Sequence, residues 1–347
     1  MTNPLRRLAE LGQSVWLDYI RRDAIESGEL DHLIRDDGLR GVTSNPAIFA
    51  KAFEESDRYD DDIARLRAEG RTTSEIYRRL TVDDVQRAAD RFRGVYDETS
   101  GRDGFVSLEV SPHLARDTDG TIAEARELWR ELDRPNVLIK VPATREGLPA
   151  IRQLIGEGIH VNVTLLFGLQ RYREVAEAYV AGLEDRLAAG EPIDRSVSVA
   201  SFFLSRIDTV VDSLLDARAE AGGPDAAVAR ELRGKAAIAC AKSAWVIYRE
   251  IFGSDRFRSL AARGAHPQRL LWASTSTKDP RYPDLKYVEP LVGAETVTTL
   301  PRETLEAYRD HGNPAPRLEE SLDSAERVLH ALAEIGIDIV DVSRQLE

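Results

Sequence analysis

The segment VLIKVPA (residues 137–143) has the composition of a buried β-strand and is flanked by two helical patterns. TIAEARELWREL (121–132) precedes it and LPAIRQLIGEG (148–158) follows it, and in both stretches apolar residues recur every three or four positions. A strand between two helices is the repeating unit of parallel sheets, in which right-handed crossovers connect neighbouring strands. The segment therefore predicts an α/β fold with a parallel sheet.

Similar strand segments occur along the whole chain, and helical patterns separate them. Eight are found: SVWLDYI (14–20), GVTSNP (41–46), FVSLEVSP (105–112), VLIKVPA (137–143), HVNVTLLF (160–167), SVSVASFF (196–203), RLLWAST (269–275) and TVTTLP (296–301). Eight such units predict a closed (β/α)8 barrel, the TIM-barrel architecture. An open doubly wound sheet is the alternative, but no G-x-G-x-x-G follows the first strand and no G-x-x-x-x-G-K-[ST] occurs.

Two helical insertions lengthen the predicted barrel. Residues 47–104 and 204–268 each contain more than one helical pattern, and residues 302–347 form a helical tail after the eighth strand. No repeat, low-complexity tract or linker divides the chain. We therefore predict that residues 1–347 form a single barrel domain.

Composition narrows the function before any motif does. The chain has 347 residues and a formal net charge of −13, which argues against a nucleic-acid partner because phosphate backbones attract basic surfaces. No stretch has the length and apolar character of a membrane span, and the single cysteine, Cys240, excludes a disulfide within the chain. These features predict a cytoplasmic protein without nucleic-acid or membrane partners, and they leave open whether it is a monomer or a homodimer.

Polar side chains are predicted to point into the barrel from five strands. Successive side chains lie on opposite faces of a strand, so each strand has an inward and an outward set. With the valines and isoleucines facing the helices, the inward positions include Asp18, Thr43, Glu109, Lys140, Asn162 and Thr164. Active sites of such barrels lie at the carboxyl ends of the strands, and we interpret the cluster as an active site. The alternative is a purely structural ion pair of Lys140 with Glu109 or Asp18.

A lysine in this position suggests a specific chemistry. Its apolar surroundings disfavour the hydrated ammonium form, so a fraction is expected as free amine, which attacks carbonyl carbons. With a ketone the product is a Schiff base, whose iminium accepts electrons when the bond β to it breaks. Glu109 and Asp18 are available for the proton transfers. The six histidines lack metal-ligand spacing, and we expect no metal and no other cofactor.

Two motifs resemble the signatures of the transaldolase family. These are GVTSNPAIF (41–49) and LIKVPAT (138–144), and WLDYI, SLEVSP, NVTLLF and SFFLSRID occur in the order expected of that family. The resemblance extends from about residue 14 to residue 301. The chain length, the insertions and the segment LLWASTSTKDP look most like the larger, actinobacterial type.

The resemblance implies catalytic roles for four residues. Lys140 would form the Schiff base with C2 of a ketose donor, and Asp18 would be the general base at the C4 hydroxyl. Glu109 and Thr164 would hold the water that carries protons during imine formation. The substrates implied are phosphorylated sugars.

The resemblance also implies a set of substrate contacts. Asn45 and Asn162 would hydrogen-bond the hydroxyls of a dihydroxyacetone unit, with Thr43 and Ser201 close by. Arg206 resembles the arginine that binds the substrate phosphate. Many family members have a second arginine after the seventh strand, where this chain has Ser274 and then Lys278. Lysine binds phosphate as a point charge and not as a planar fork.

The activity implied is transfer of a dihydroxyacetone unit from sedoheptulose 7-phosphate to glyceraldehyde 3-phosphate, giving erythrose 4-phosphate and fructose 6-phosphate. Related fructose 6-phosphate aldolases are similar in barrel and lysine, but they carry Gln in place of Glu109 and Tyr in place of Phe203. Both differences favour a transferase. A barrel that binds sugar phosphates without turnover is the second alternative, although every position expected to be catalytic is filled.

Overall fold

The computed structural model describes residues 3–347, and its centre is a closed barrel of eight parallel strands. The strands are β1 Gln13–Asp18, β2 Gly41–Thr43, β3 Phe105–Glu109, β4 Val137–Pro142, β5 Val161–Leu166, β6 Ser198–Phe203, β7 Arg269–Ala273 and β8 Thr296–Leu300. Each strand pairs with the next, and β8 closes the ring on β1. The predicted (β/α)8 barrel is confirmed, and the open doubly wound sheet is excluded.

Helices surround the barrel and form both insertions and the tail. They are α1 Pro4–Glu10, α2 Arg22–Glu26, α3 Glu29–His32, α4 Pro46–Glu55, α5 Asp60–Ala68, α6 Thr73–Glu98, α7 Thr118–Leu132, α8 Gly147–Glu157, α9 Leu169–Ala188, α10 Ser205–Ala221, α11 Ala226–Leu232, α12 Ala236–Phe252, α13 Asp255–Ala261, α14 Arg302–His311, α15 Leu322–Glu334 and α16 Ile339–Leu346. Within residues 3–347, no helix combines the length and the apolar character that crossing a membrane requires. The predicted range 1–347 begins two residues before the described part of the chain.

Seven of the eight strands end one to three residues before their predicted ends. The clearest case is β2, predicted to reach residue 46, where the chain instead starts a helix after Thr43. The Asn45 side chain accepts a hydrogen bond from the Ile48 amide at 3.0 Å, and Pro46 occupies the first position of α4. An asparagine cap followed by proline is a strong helix start, and it ends the strand.

Apolar side chains fill the middle of the barrel below the polar layer. The inward residues of this apolar layer are Trp16, Phe105, Leu138, Val199, Leu271 and Val297. The Trp16 ring lies against the backbone of Gly41, where an added Cβ would come within 2.7 Å of two ring carbons. Glycine at this position therefore allows the largest side chain of the layer to fit.

A buried ion pair closes the amino end of the barrel. Arg269 and Asp103 lie 2.9 Å apart with side chains only 6% and 10% exposed. Ser14 receives a hydrogen bond from Arg269 at 2.8 Å and donates one to Asp103 at 2.7 Å. This end of a barrel contributes stability and not chemistry.

Replacing Asp103 by leucine would leave the Arg269 guanidinium buried without its charge partner. Breaking a buried ion pair from one side costs about 3–5 kcal/mol, so the free energy of unfolding in urea should fall by that amount. The double variant Asp103→Leu with Arg269→Met removes both charges and should be clearly more stable than the single variant. Unchanged stability of the single variant would contradict this role of the pair.

Candidate active site

Lys140 lies on β4 between neighbours from β3 and β5. The register places Glu109 beside it on one side and Asn162 on the other. Its Nζ donates hydrogen bonds to Glu109 Oε2 and to the backbone carbonyl of Ser44, both at 2.9 Å. The side chain is buried, and the ion pair with Glu109 satisfies its charge. Lys140 also lines an open cavity, so the ion pair does not close off the amine.

The cavity has a volume of about 200 Å³ and lies at the carboxyl ends of the strands. Ten of the twelve predicted site residues line it: Asp18, Thr43, Asn45, Lys140, Thr164, Ser201, Phe203, Arg206, Ser274 and Lys278. The other two are joined to it by hydrogen bonds. Glu109 reaches it through Lys140, and Asn162 through Ser201.

A chain of hydroxyls leads to the carboxylate of Asp18. Thr43 donates a hydrogen bond to Asp18 Oδ1 at 2.7 Å, and the Thr299 hydroxyl lies 2.7 Å from that of Thr43. Since Thr43 has a single hydroxyl proton, Thr299 is the donor in the second bond. Burial raises the pKa of Asp18 above its ordinary value, while the Lys140 ammonium and the Thr43 hydroxyl act in the opposite direction.

The two asparagines present different groups to the cavity. Asn162 is buried between two serines, donating to Ser107 at 3.1 Å and accepting from Ser201 at 2.7 Å. The Asn45 side-chain oxygen caps α4, so its amide NH2 is the group left to contact a ligand. Asn45 can therefore donate to a ligand oxygen while its position is fixed by the helix.

The end of β5 has an unusual backbone conformation beside Thr164. Leu165 has φ of +56°, a left-handed conformation that L-residues other than glycine rarely adopt. The pairing of β5 with β6 shifts register between Val163 and Leu166. The bulge interrupts the regular pairing beside Thr164, whose side chain lines the cavity. Backbone strain of this kind concentrates at functional sites.

Two cations stand at the cavity without an acidic partner. Arg206 lies in the first turn of α10 with its guanidinium 5.4 Å from the centre of the Phe203 ring. Lys278 lies in the loop after β7 and donates to Ser276 at 2.8 Å. Neither has a carboxylate within 4.0 Å in the described range 3–347. Their positive charges are available to an anion.

Comparison with known proteins identifies the family of the chain. A family model described as transaldolase/fructose-6-phosphate aldolase matches residues 15–347. The chain is 48% identical to a protein named transaldolase from Thiobacillus denitrificans over 345 residues, which is 99% of this chain and 94% of the relative. It is also 49% identical to a transaldolase from Thermobifida fusca over 348 residues, covering 100% of this chain and 93% of the relative.

The chain belongs to the transaldolase/fructose-6-phosphate aldolase family. The family match includes both helical insertions and the tail, so these parts are not additions foreign to the family. Across the described residues 3–347, no group of three or more His, Cys, Asp or Glu side chains could hold a metal ion.

Sequence reasoning missed three contributors to the site of this family member. Thr299 was identifiable, because alternation along TVTTLP from the inward Val297 gives it an inward side chain near the end of β8. Ser44 contributes its backbone carbonyl, for which a side-chain pattern contains no signal. Ser276 contacts Lys278 from a loop whose conformation the sequence does not specify.

Replacing Thr43 by valine should raise the pKa of Asp18 further. The substitution removes a hydrogen bond to the ionised carboxylate, and losing such a bond disfavours the charged form. The measurement is a ¹³C NMR titration of labelled aspartate carboxyls, with the Asp18 signal assigned by its loss in Asp18→Asn. Thr298→Val is the matched control, since Thr298 is buried on β8 with an unpaired hydroxyl. An unchanged or lower pKa in Thr43→Val would contradict the assignment.

Proposed function

We propose that this protein is a transaldolase in which Lys140 forms a Schiff base with the C2 carbonyl of a ketose phosphate. The donor is sedoheptulose 7-phosphate and the acceptor glyceraldehyde 3-phosphate, and the products are erythrose 4-phosphate and fructose 6-phosphate. The observation that carries the proposal is the position of Lys140. Its amine lines a cavity shared with the carboxylate of Asp18 and two unpaired cations.

Schiff-base formation begins with removal of a proton from the Lys140 ammonium. Glu109, 2.9 Å from Nζ, is the acceptor in place. The free amine attacks C2, and the carbinolamine that forms loses its hydroxyl as water. Glu109 and Thr164 hold the water that carries these protons. The iminium that results attracts electrons from the C3–C4 bond.

Asp18 acts in the carbon–carbon cleavage. It takes the proton of the C4 hydroxyl, the C3–C4 bond breaks, and the aldehyde product leaves. The bonding electrons remain as an enamine on Lys140. The enamine then attacks the acceptor aldehyde, Asp18 returns the proton to the new hydroxyl, and water releases the ketose. A raised pKa suits a carboxyl that must both accept and return a proton.

The remaining residues hold the substrate. Asn45, Asn162, Thr43 and Ser201 hydrogen-bond the dihydroxyacetone unit, and Arg206 and Lys278 bind the phosphate. Glu109 and Phe203 stand where related aldolases carry Gln and Tyr, which supports transfer over simple aldol cleavage. We further propose that residues 1–347 act as one domain in the cytoplasm, where the buried, unpaired Cys240 would stay reduced.

Borohydride reduction in the presence of fructose 6-phosphate should attach a three-carbon dihydroxyacetone-derived or six-carbon adduct to Lys140. Reduction converts the iminium to a stable amine, and peptide mass spectrometry locates it. Lys140→Met should lose both labelling and transfer activity.

Lys242 provides the matched control for this experiment. It is also buried, burial lowers the pKa of its ammonium, and it donates to the carbonyl of Arg317 at 2.8 Å. Lys242→Met should keep both labelling and turnover. Labelling of Lys242, or turnover by Lys140→Met, would refute the assignment of Lys140.

Arg206→Ala should raise KM for glyceraldehyde 3-phosphate by about tenfold or more, because a charge-assisted contact to phosphate is lost. The kcat at saturating acceptor should change much less, since Arg206 does not touch the reacting atoms. Steady-state kinetics with both phosphorylated substrates provide the measurement. Arg218→Ala is the control on the same helix, where Arg218 instead bonds the Gly336 carbonyl. An unchanged KM in Arg206→Ala would remove Arg206 from the phosphate site.

A further inference from the structure

One face of α10 carries three aspartates at four-residue spacing, beginning two residues after Arg206. These are Asp208, Asp212 and Asp216, referred to here as the acid ladder. Residues four apart lie on the same helix face, so the three carboxylates form a row. Asp208 and Asp212 are buried, and such carboxylates require partners. Asp208 and Asp212 have partners in the loop that carries Lys278, and Asp216 bonds Arg233, which in turn bonds that loop.

Asp216 is joined to that loop through Arg233. Arg233 donates to Asp216 from Nε at 2.8 Å and from Nη2 at 3.1 Å. Nη2 also donates to Asp279 at 2.7 Å, and Nη1 donates to the Tyr282 hydroxyl at 2.5 Å. Asp279 follows Lys278 directly in the chain. Two-pronged arginine contacts fix geometry as well as charge. The backbone at Lys278 is therefore tied to α10 through a rigid guanidinium.

The other two carboxylates hold the same loop further along. The Tyr282 hydroxyl donates to Asp212 at 2.6 Å, and the Lys286 ammonium lies 2.6 Å from Asp208. Lys286 also lies 3.4 Å from the centre of the Tyr282 ring. The loop from Lys278 to Lys286 is thus attached to one face of one helix along its length.

The upstream end of the loop is attached to the first residue of the same helix. The hydroxyls of Ser205 and Ser274 are 2.7 Å apart, and the Ser205 amide donates to the Ser274 carbonyl at 3.1 Å. Arg206 is the next residue of α10. The segment 275–278 is therefore held at both ends by the helix that carries Arg206.

The carboxylate of Asp279, next to Lys278 in the chain, is electrostatically unfavourable for phosphate binding. Its negative charge repels an anion at Lys278, so simple electrostatics would favour a neutral residue in its place. Two arginines, Arg233 and Arg281, bond its carboxylate. The arrangement fits a positioning role for Asp279. A lysine side chain is flexible, so its ammonium group is well placed only if the backbone that carries it is fixed.

We propose that the acid ladder, acting through Arg233, Asp279 and Tyr282, positions Lys278 relative to Arg206 and so sets the preference for phosphorylated over unphosphorylated acceptors. The inference rests on the proposed transaldolase function. The residues of the ladder are positioning residues and touch no substrate. Loosening the loop should weaken phosphate binding and leave the chemistry at Lys140 unchanged.

Asp279→Ala tests this inference through the sign of its effect. If Asp279 acts only by its charge, removing it should lower KM for glyceraldehyde 3-phosphate. If it holds the loop, KM should rise about fivefold, the size expected for losing the net contribution of one ordinary hydrogen bond. With sedoheptulose 7-phosphate as the saturating donor for both acceptors, KM for unphosphorylated glyceraldehyde and kcat should both change less than about twofold.

Tyr282→Phe is a second variant that changes no charge. It removes the hydroxyl that donates to Asp212 and accepts from Arg233, and it should raise KM for glyceraldehyde 3-phosphate in the same selective way. Arg173→Ala is the matched control, because it removes an exposed two-pronged contact with Glu250 between α9 and α12 and should leave both KM values unchanged. Thermal unfolding of each variant checks that the fold is kept.

Each possible result either supports or overturns the proposed role of the acid ladder. A selective rise in KM for the phosphorylated acceptor in both loop variants supports the inference. A fall or no change in Asp279→Ala, or an equal rise for both acceptors, overturns it. Absence of transfer by the unaltered protein would overturn the proposed function and this inference with it, whereas transfer with unshifted KM values in the variants overturns the inference alone.

Discussion

The buried pairing of Lys140 with Glu109 is the interaction on which the site depends. A lone ammonium inside the barrel would cost several kcal/mol, and the carboxylate together with the Ser44 carbonyl offsets that cost by taking two of its three N–H donors. In the proposed mechanism the same carboxylate, 2.9 Å from Nζ, accepts the proton that leaves before the amine attacks a carbonyl. Under this proposal, one contact both stabilises the ligand-free barrel and activates the lysine.

The inward side chains of the strands form three layers along the barrel axis, and only the layer at the carboxyl end lines the cavity. The amino end is closed by the pair of Arg269 and Asp103, the middle is filled by an apolar layer around Trp16, and the polar layer lies at the carboxyl end. Side chains two residues apart on one strand belong to successive layers, as Arg269 and Leu271 do on β7 and Trp16 and Asp18 do on β1. Beyond the strands, the geometry depends on loops, and α10 is joined to the loop of Lys278 by side-chain contacts and by the backbone hydrogen bond from Ser205 to Ser274.

The sequence predicted the barrel and most of its inward polar layer, because both follow from a period of two in strands and from helices between them. It was less informative where the backbone leaves that pattern. Asn45 was predicted within a strand but caps a helix, and Ser44 acts through a carbonyl that no side-chain pattern reveals. Thr299 follows the strand alternation, which gives it an inward side chain, but it was not among the predicted site residues. The surroundings of Lys278 depend on partners from α10 and Arg233, contacts between distant segments that local sequence does not encode.

Covalent bonding of the Lys140 amine to a ketose is the step on which the other proposed roles depend. A crystal structure of the protein soaked with fructose 6-phosphate tests it directly. We expect continuous electron density from Lys140 Nζ to C2 of the sugar, with the Asp18 carboxylate at the C4 hydroxyl and the phosphate beside Arg206. A sugar bound in the cavity with no bond to nitrogen and the contact to Glu109 unaltered, or bound elsewhere, would contradict it.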